Sequence, residues 1–240
     1  MKRPTINPPP VYLDPETHRY IWLPTGAVMQ TSVTTVCRLG KTYTGNPAAG
    51  VRGTHVHLCL EQFLTGAAQP DWKGYDEFIE PLLAHDYWER FEPWACELSL
   101  CDLKRSIGGQ LDVLGFDHER QKVTLLDLKS KGSKGTYDVR PQLGAYCGML
   151  QQTLKLFVEE CRVMWAYPGE AFLGRQHSID ECAEAWDETY GLWQAQQKLK
   201  SLVTNADRST PRKAPRTAAL GSEADSSPDD APLLWSCTDP

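Results

Sequence analysis

The 240-residue chain has no apolar run approaching the roughly 18 to 20 residues that a membrane-spanning helix needs. It also lacks an excess of positive charge: 25 Lys and Arg stand against 31 Asp and Glu, for a formal net charge of −6. Such a chain does not advertise nucleic-acid binding through its overall field. A nuclease is not excluded, because a metal-dependent site gathers carboxylates and lets bound cations meet the phosphate. There is no His-Glu-x-x-His and no Cys-x-x-Cys, so the common zinc spacings are missing. The opening MKRPTINPPP runs from two basic residues into prolines rather than an apolar stretch, which reads against a secretory signal. No internal repeat is visible. The cysteines, at 37, 59, 96, 101, 147, 161, 182 and 237, are scattered through a chain too large to need staples. Reduced thiols in a cytoplasm are the expectation.

What is present is an ordinary globular composition, 41% hydrophobic and 23% charged, which rules out wholesale disorder and coiled-coil rods. Residues 1–14 read as an extended, Pro-rich arm, 15–205 as one domain, and 206–240 as a disordered tail rich in Ala, Ser, Thr, Pro and acids. The segment HRYIWLPTGAVMQ, turning at Pro-Thr-Gly, predicts an N-terminal β-hairpin. Ser32 or Thr34 is placed to cap a helix. Residues 41–50 look like a loop. Helices are expected at 52–64, 74–91 (with Pro81 starting or kinking it), 138–153 and 180–202. Strands are expected at 94–103, 108–117 and 121–130 as an antiparallel meander, then at 160–167 and near 171–177.

The chemistry concentrates in GGQLDVLGFDHERQKVTLLDLKS. Asp112 lies on one expected strand. Asp127 and Lys129 lie on the next, two apart and therefore on one face. Their neighbours are apolar, and buried carboxylates are costly unless they bind something. Mg²⁺ satisfies them, taking oxygen ligands and keeping waters for a phosphate substrate. The backbone carbonyl of Leu128 lies between the two side chains and is a further candidate ligand. Lys129 is suited to orient or deprotonate the attacking water, or to neutralise charge on the transition state.

Two more elements flank this one. His57 and Glu61, four apart, share a helix face distinct from the stripe of Val56, Leu60 and Phe63, so His57 is a candidate metal ligand and His55 falls outside the site. Gln142 and Tyr146, again four apart, put an amide and a phenol on one helix turn, able to grip a phosphate or a base. The basic run of Lys129, Lys131, Lys134 and Arg140 before them is a candidate track for backbone phosphates.

The order of these pieces resembles the PD-(D/E)xK nuclease superfamily. It is similar in particular to the RecB-type branch of phage exonucleases and the mitochondrial genome maintenance exonuclease. The matching residues are Gly53, His57 and Glu61; Glu97 on a strand; Gly109 and Asp112; Asp127 and Lys129; Gln142 and Tyr146. The likeness covers about 15–170, including the HRYIW…SVTTV segment. It implies an α/β fold with a restriction-endonuclease-like core, a central mixed sheet flanked by helices. It implies Mg²⁺ or Mn²⁺ held by His57, Asp112 and Asp127, with Lys129 as the catalytic lysine. Gln142 and Tyr146 would face DNA, beside the basic track of Lys131 and Arg140 read above from the residues themselves, while Glu61 and Glu97 support the site. Some relatives hold an iron–sulfur cluster through one early and three late cysteines; the wide spacing here predicts none.

The expected activity is a metal-dependent deoxyribonuclease, an exonuclease acting on DNA ends or single strands. It would serve recombination, repair or phage DNA processing, with a partner protein from such a pathway, in a bacterial or phage-infected cytoplasm. The rival is a non-catalytic DNA-binding or adaptor protein on a nuclease scaffold. A carboxylate-pair glycosidase gives Lys129 no role.

Overall fold

The computed structural model describes residues 3–39 and 46–209, with side chains to 203. The fold is α/β, a mixed six-stranded sheet flanked by helices, with a small separate sheet at the N-terminus. That small sheet has three antiparallel strands, β1 (Val11–Leu13), β2 (Tyr20–Trp22) and β3 (Ala27–Val28). The expected hairpin is its β2–β3 pair, and β1 lies inside the stretch read as an arm. The tail from 210 lies outside the described residues, as does Cys237.

β4 (Thr31–Ser32) leads into α1 (Val33–Cys37), where the Ser32 hydroxyl accepts the Thr35 N–H at 3.2 Å as an N-cap. α2 (Pro47–Thr65) starts five residues before the expected position. Asn46 caps it by accepting from the Ala48 N–H, and Pro47 sits at the first turn, where a missing N–H costs nothing. Residues 47–50, read as loop, are therefore helix; 40–45 lie outside the described residues. Gly66 ends α2 in the left-handed conformation at φ 71°.

The single helix expected over 74–91 is two, α3 (Asp76–Leu83) and α4 (Tyr87–Arg90). The Trp88 indole N–H donates to the Leu82 carbonyl at 2.6 Å, and His85 Nδ1 accepts the Tyr87 N–H, so side chains take over the groups that would continue the helix. Pro81 sits inside α3 without breaking it. The Glu77 carbonyl that Pro81 cannot serve accepts the Gly169 N–H at 2.7 Å instead.

The meander is present: β5 (Phe91–Asp102), β6 (Ile107–Asp117) and β7 (Lys122–Ser130) pair antiparallel in sequence. α5 (Arg140–Leu154) then carries the chain to β8 (Glu160–Tyr167), parallel to β7, and β9 (Glu170–Leu173) returns antiparallel to β8. β5 holds one edge of β6 along its length. The other edge is shared, by β7 along Val113–Asp117 and by β4 at Ile107–Gly108. α6 (Ile179–Ser209) closes the described chain.

Two apolar cores cover the sheet. Val56, Leu60, Ile79 and Leu82 of α2 and α3 pack on Val113, Leu126, Leu128 and Met164. Val36, Leu143, Leu150 and Trp186 of α1, α5 and α6 pack on Leu111, Leu114, Leu125 and Val163. Cys147, Cys161 and Cys182 are buried in this second core, and the seven cysteines among the described residues are free thiols. No helix among the described residues is long and apolar enough to cross a membrane.

Candidate metal centre and cleft

The site forms where β7 leaves β6. The last paired rung is Val113 with Leu126, and beyond it the strands part. There the Asp112 carboxylate does the work of a ladder carbonyl: its Oδ2 accepts the Leu128 N–H at 2.6 Å. Across from Asp112 on β5, Glu97 adopts φ 47°, a left-handed conformation uncommon for a non-glycine residue in a strand. Backbone strain of this kind is worth about 1–3 kcal/mol and gathers at functional sites. Here it accompanies the delivery of the Glu97 carboxylate to α2.

His57 receives these groups from α2. Its Nδ1 lies 3.1 Å from Glu97 Oε1 and 3.6 Å from Asp112 Oδ1. Its Nε2 lies 3.1 Å from the Leu128 carbonyl oxygen. Both ring nitrogens thus face acceptors, which only the doubly protonated imidazolium satisfies. Burial opposes that charge, but Asp112 and Glu97 outweigh it and raise the His57 pKa to about 9. Single ligand atoms of His57, Glu97 and Asp112 all lie within 4.8 Å of one another, the one such group among the described residues.

Asp127 stands beside this group. Its Oδ2 meets Lys129 Nζ at 2.6 Å, and both side chains leave the same face of β7, as their spacing predicts. Its Oδ1 is buried with no hydrogen-bond partner. Burial raises the Asp127 pKa to about 6, against the pull of Lys129 and with the help of Asp112. Asp112 is raised for the same main reason, desolvation. Burial works against the Lys129 charge, yet Asp127 and Asp112 hold its pKa above the ordinary lysine value. Lys129 is therefore an ammonium here, placed to donate and to neutralise, not to take a proton.

Three acids face one ammonium and one imidazolium in this enclosure, so negative charge is in excess. An orphaned carboxylate oxygen, two further carboxylates, an imidazole and a backbone carbonyl make a hard, oxygen-rich donor set that fits Mg²⁺ or Mn²⁺. His57, Glu97, Asp112, Asp127 and the Leu128 carbonyl would hold such an ion.

The centre opens into a cleft of about 600 Å³. Gly50, Gly53 and His57 of α2, Leu128 to Ser130 of β7, Arg38 just beyond α1, and Tyr137 and Gln142 line it. A Cβ at Gly53 would meet only Ser130 Oγ, at 3.8 Å, so packing does not demand glycine there; the bare backbone leaves the cleft open. α2 is fixed to the end of β7 by Arg52, whose guanidinium donates to the Ser130 carbonyl at 3.3 Å and lies over the Phe78 ring.

The other expected residues divide. Gln142 reaches the cleft. Tyr146 does not: it is 3% exposed, and its ring fills the space where a Cβ on Gly109 would stand, so its expected place facing DNA is corrected to the core. Arg140 donates from Nε and Nη2 to Asp138, at 2.9 and 2.7 Å, and Lys131 donates to the Gly135 carbonyl. Neither lines the cleft. Glu61 lies one turn beyond His57 and its carboxylate makes no hydrogen bond among the described residues. His55 is buried outside the site, its ring against the Asp71 carbonyl at 2.6 Å. Arg38, Arg52, Ser130 and Tyr137 receive no role from the sequence.

No family model and no curated protein matches the chain. Among solved structures it is similar to the crystal structure of SSO0001, at 15% identity and a TM-score of 0.37, over 64% of this chain and 61% of that one. It is also similar to a crystal structure described as a "putative exonuclease" from Eubacterium rectale, at 12% identity and a TM-score of 0.44, over 74% of this chain and 80% of that one. Likenesses this distant leave function to the site itself.

Proposed function

We propose that the protein is a Mg²⁺- or Mn²⁺-dependent deoxyribonuclease of the RecB-type PD-(D/E)xK kind, acting as an exonuclease on DNA ends or single strands. The observation that carries this is the meeting of His57, Glu97 and Asp112 within 4.8 Å, beside the Asp127–Lys129 ion pair at 2.6 Å. Helix α2 and three consecutive strands, β5, β6 and β7, converge on one acidic point. The buried ammonium pairs with Asp127 and also stands where phosphodiester hydrolysis can use a positive charge.

A divalent ion supplies Lewis acidity and a water of lowered pKa at such a centre. The protein's own groups supply the rest. Asp112, Asp127 and Glu97 provide the anionic seat, and the Leu128 carbonyl a neutral oxygen. Lys129 presents its ammonium to the scissile phosphate, where negative charge grows in the transition state. Gln142, which also lines the cleft, can donate to a phosphate or a base. The reading extends to a role in recombination, repair or phage DNA processing in a cytoplasm.

The test compares end-labelled linear DNA with closed circular DNA in Mg²⁺, Mn²⁺ or EDTA. Degradation of the linear form in either metal, abolished by EDTA and by Asp112→Asn or Lys129→Ala, is the expected result. Tight binding with no cleavage in either metal would favour an adaptor built on the same scaffold.

A further inference from the structure

Tyr137 is an aromatic residue that the site described above leaves without a role. It lies in the loop between β7 and α5, is 53% exposed, and lines the cleft together with Lys129 and His57. An exposed loop tyrosine normally moves freely and loses side-chain entropy when it is fixed. This ring is held by two contacts, and its loop by a third. The Trp165 ring meets it at 5.2 Å, with planes at 86°. Lys131 Nζ lies 5.7 Å from its centroid and is itself tied to the Gly135 carbonyl at 2.6 Å. The Tyr167 hydroxyl donates to that same carbonyl at 3.1 Å, which fastens the loop back onto β8. Gly135, at φ 122°, is in a conformation that suits glycine and lets its carbonyl take both donors.

We infer that Tyr137 is a stacking platform for a nucleobase of an unpaired strand, set at the mouth of the cleft beside Lys129. Stacking on an aromatic face is sequence-tolerant, because every base offers a π-surface. The platform therefore selects frayed or single-stranded ends over intact helix and is indifferent to base identity. This inference rests on the nuclease reading for its substrate, but its test reads binding and not turnover.

The experiment uses single-stranded oligonucleotides carrying 2-aminopurine near one end, with Ca²⁺ in place of Mg²⁺, and reads quenching of the base fluorescence on binding. The wild-type chain and Tyr137→Phe are expected to quench it. Tyr137→Ala and Tyr137→Leu are expected to lose the quench and to raise the dissociation constant about 5- to 100-fold. An abasic site in place of the quenched base should cost the wild type as much, and cost Tyr137→Ala nothing more. Far-UV circular dichroism of each variant establishes that it is folded. Equal quenching and affinity in Tyr137→Ala would overturn the inference, as would a Phe variant as weak as the Ala variant, which would assign the effect to the hydroxyl. A chain that quenches through Tyr137 but never cleaves keeps the platform and loses the nuclease reading. A chain that cleaves normally without Tyr137 does the reverse, and one that neither binds nor cleaves loses both.

Discussion

His57 Nε2 faces the Leu128 carbonyl oxygen at 3.1 Å, joining the middle of α2 to the strand that carries Asp127 and Lys129. A backbone acceptor so placed holds the ring in one orientation and turns its other nitrogen to Glu97 and Asp112. The imidazolium brings these acceptors positive charge that a divalent ion would also supply, and His57 would give up one ring proton to serve as its ligand.

His57→Ala removes one candidate ligand and leaves three acids nearer to one another's field. Mn²⁺ affinity is expected to fall by at least about 10-fold, measured by isothermal titration calorimetry. An unchanged affinity would move the ion away from α2.

Glu97 offers a test of strain. Glu97→Ala keeps a Cβ at φ 47°, while Glu97→Gly removes it. In a strand glycine is normally the less stable choice. Here Glu97→Gly is expected to exceed Glu97→Ala by about 1 kcal/mol in urea denaturation with EDTA present. Both should lose divalent-ion affinity.

Two glycines predict opposite outcomes. A Cβ on Gly109 would sit 2.7 Å from Tyr146 Cε1 and 2.9 Å from Val33 Cγ2, so Gly109→Ala should cost about 1–3 kcal/mol of stability. Gly53→Ala meets only ordinary contact and lies inside α2, so stability should hold or rise by up to about 1 kcal/mol. Because the new methyl narrows the cleft, DNA hydrolysis should fall in that same variant. Thermal melts set beside cleavage rates check both.

The metal-free protein should weaken as pH rises. His57 has a folded pKa of about 9 against an ordinary 6.5, so the stability it contributes is complete below 6.5 and lost as pH climbs through 9. Asp127, raised to about 6 from 3.8, acts in the same direction at lower pH. Melting temperatures in EDTA should therefore drop between pH 6.5 and 9, and His57→Ala should flatten the drop. A melting temperature that rises over this range would contradict the ion pairing described here.

Much of this arrangement is readable from residue order. The meander shows because β5, β6 and β7 follow one another closely and turn at short polar breaks. The Asp127–Lys129 pair shows because two-residue spacing fixes a common face. Glu97 was legible as a supporting acid, but not as a member of the ligand group, because its delivery depends on a left-handed residue that no composition rule marks. Tyr146 misled because four-residue spacing with Gln142 gives a shared helix face without saying whether that face meets solvent or the sheet. α5 lies close enough to β6 that only the Gln142 end of that face reaches the cleft. The break between α3 and α4 was hidden because it comes from the Trp88 indole reaching back to Leu82, a side-chain contact that propensity does not register.

β7 is an interior strand whose neighbours are made on either side of it in time: β6 is synthesised before it, β8 well after. Lys129 is in register with Trp165, and Asp127 with Val163. On the ribosome the acidic strand therefore has only half its support until Trp165 has left the exit tunnel. A growing chain cannot assemble the centre early, and a chain truncated within α5 lacks β8, the neighbour against which Asp127 and Lys129 are held in register.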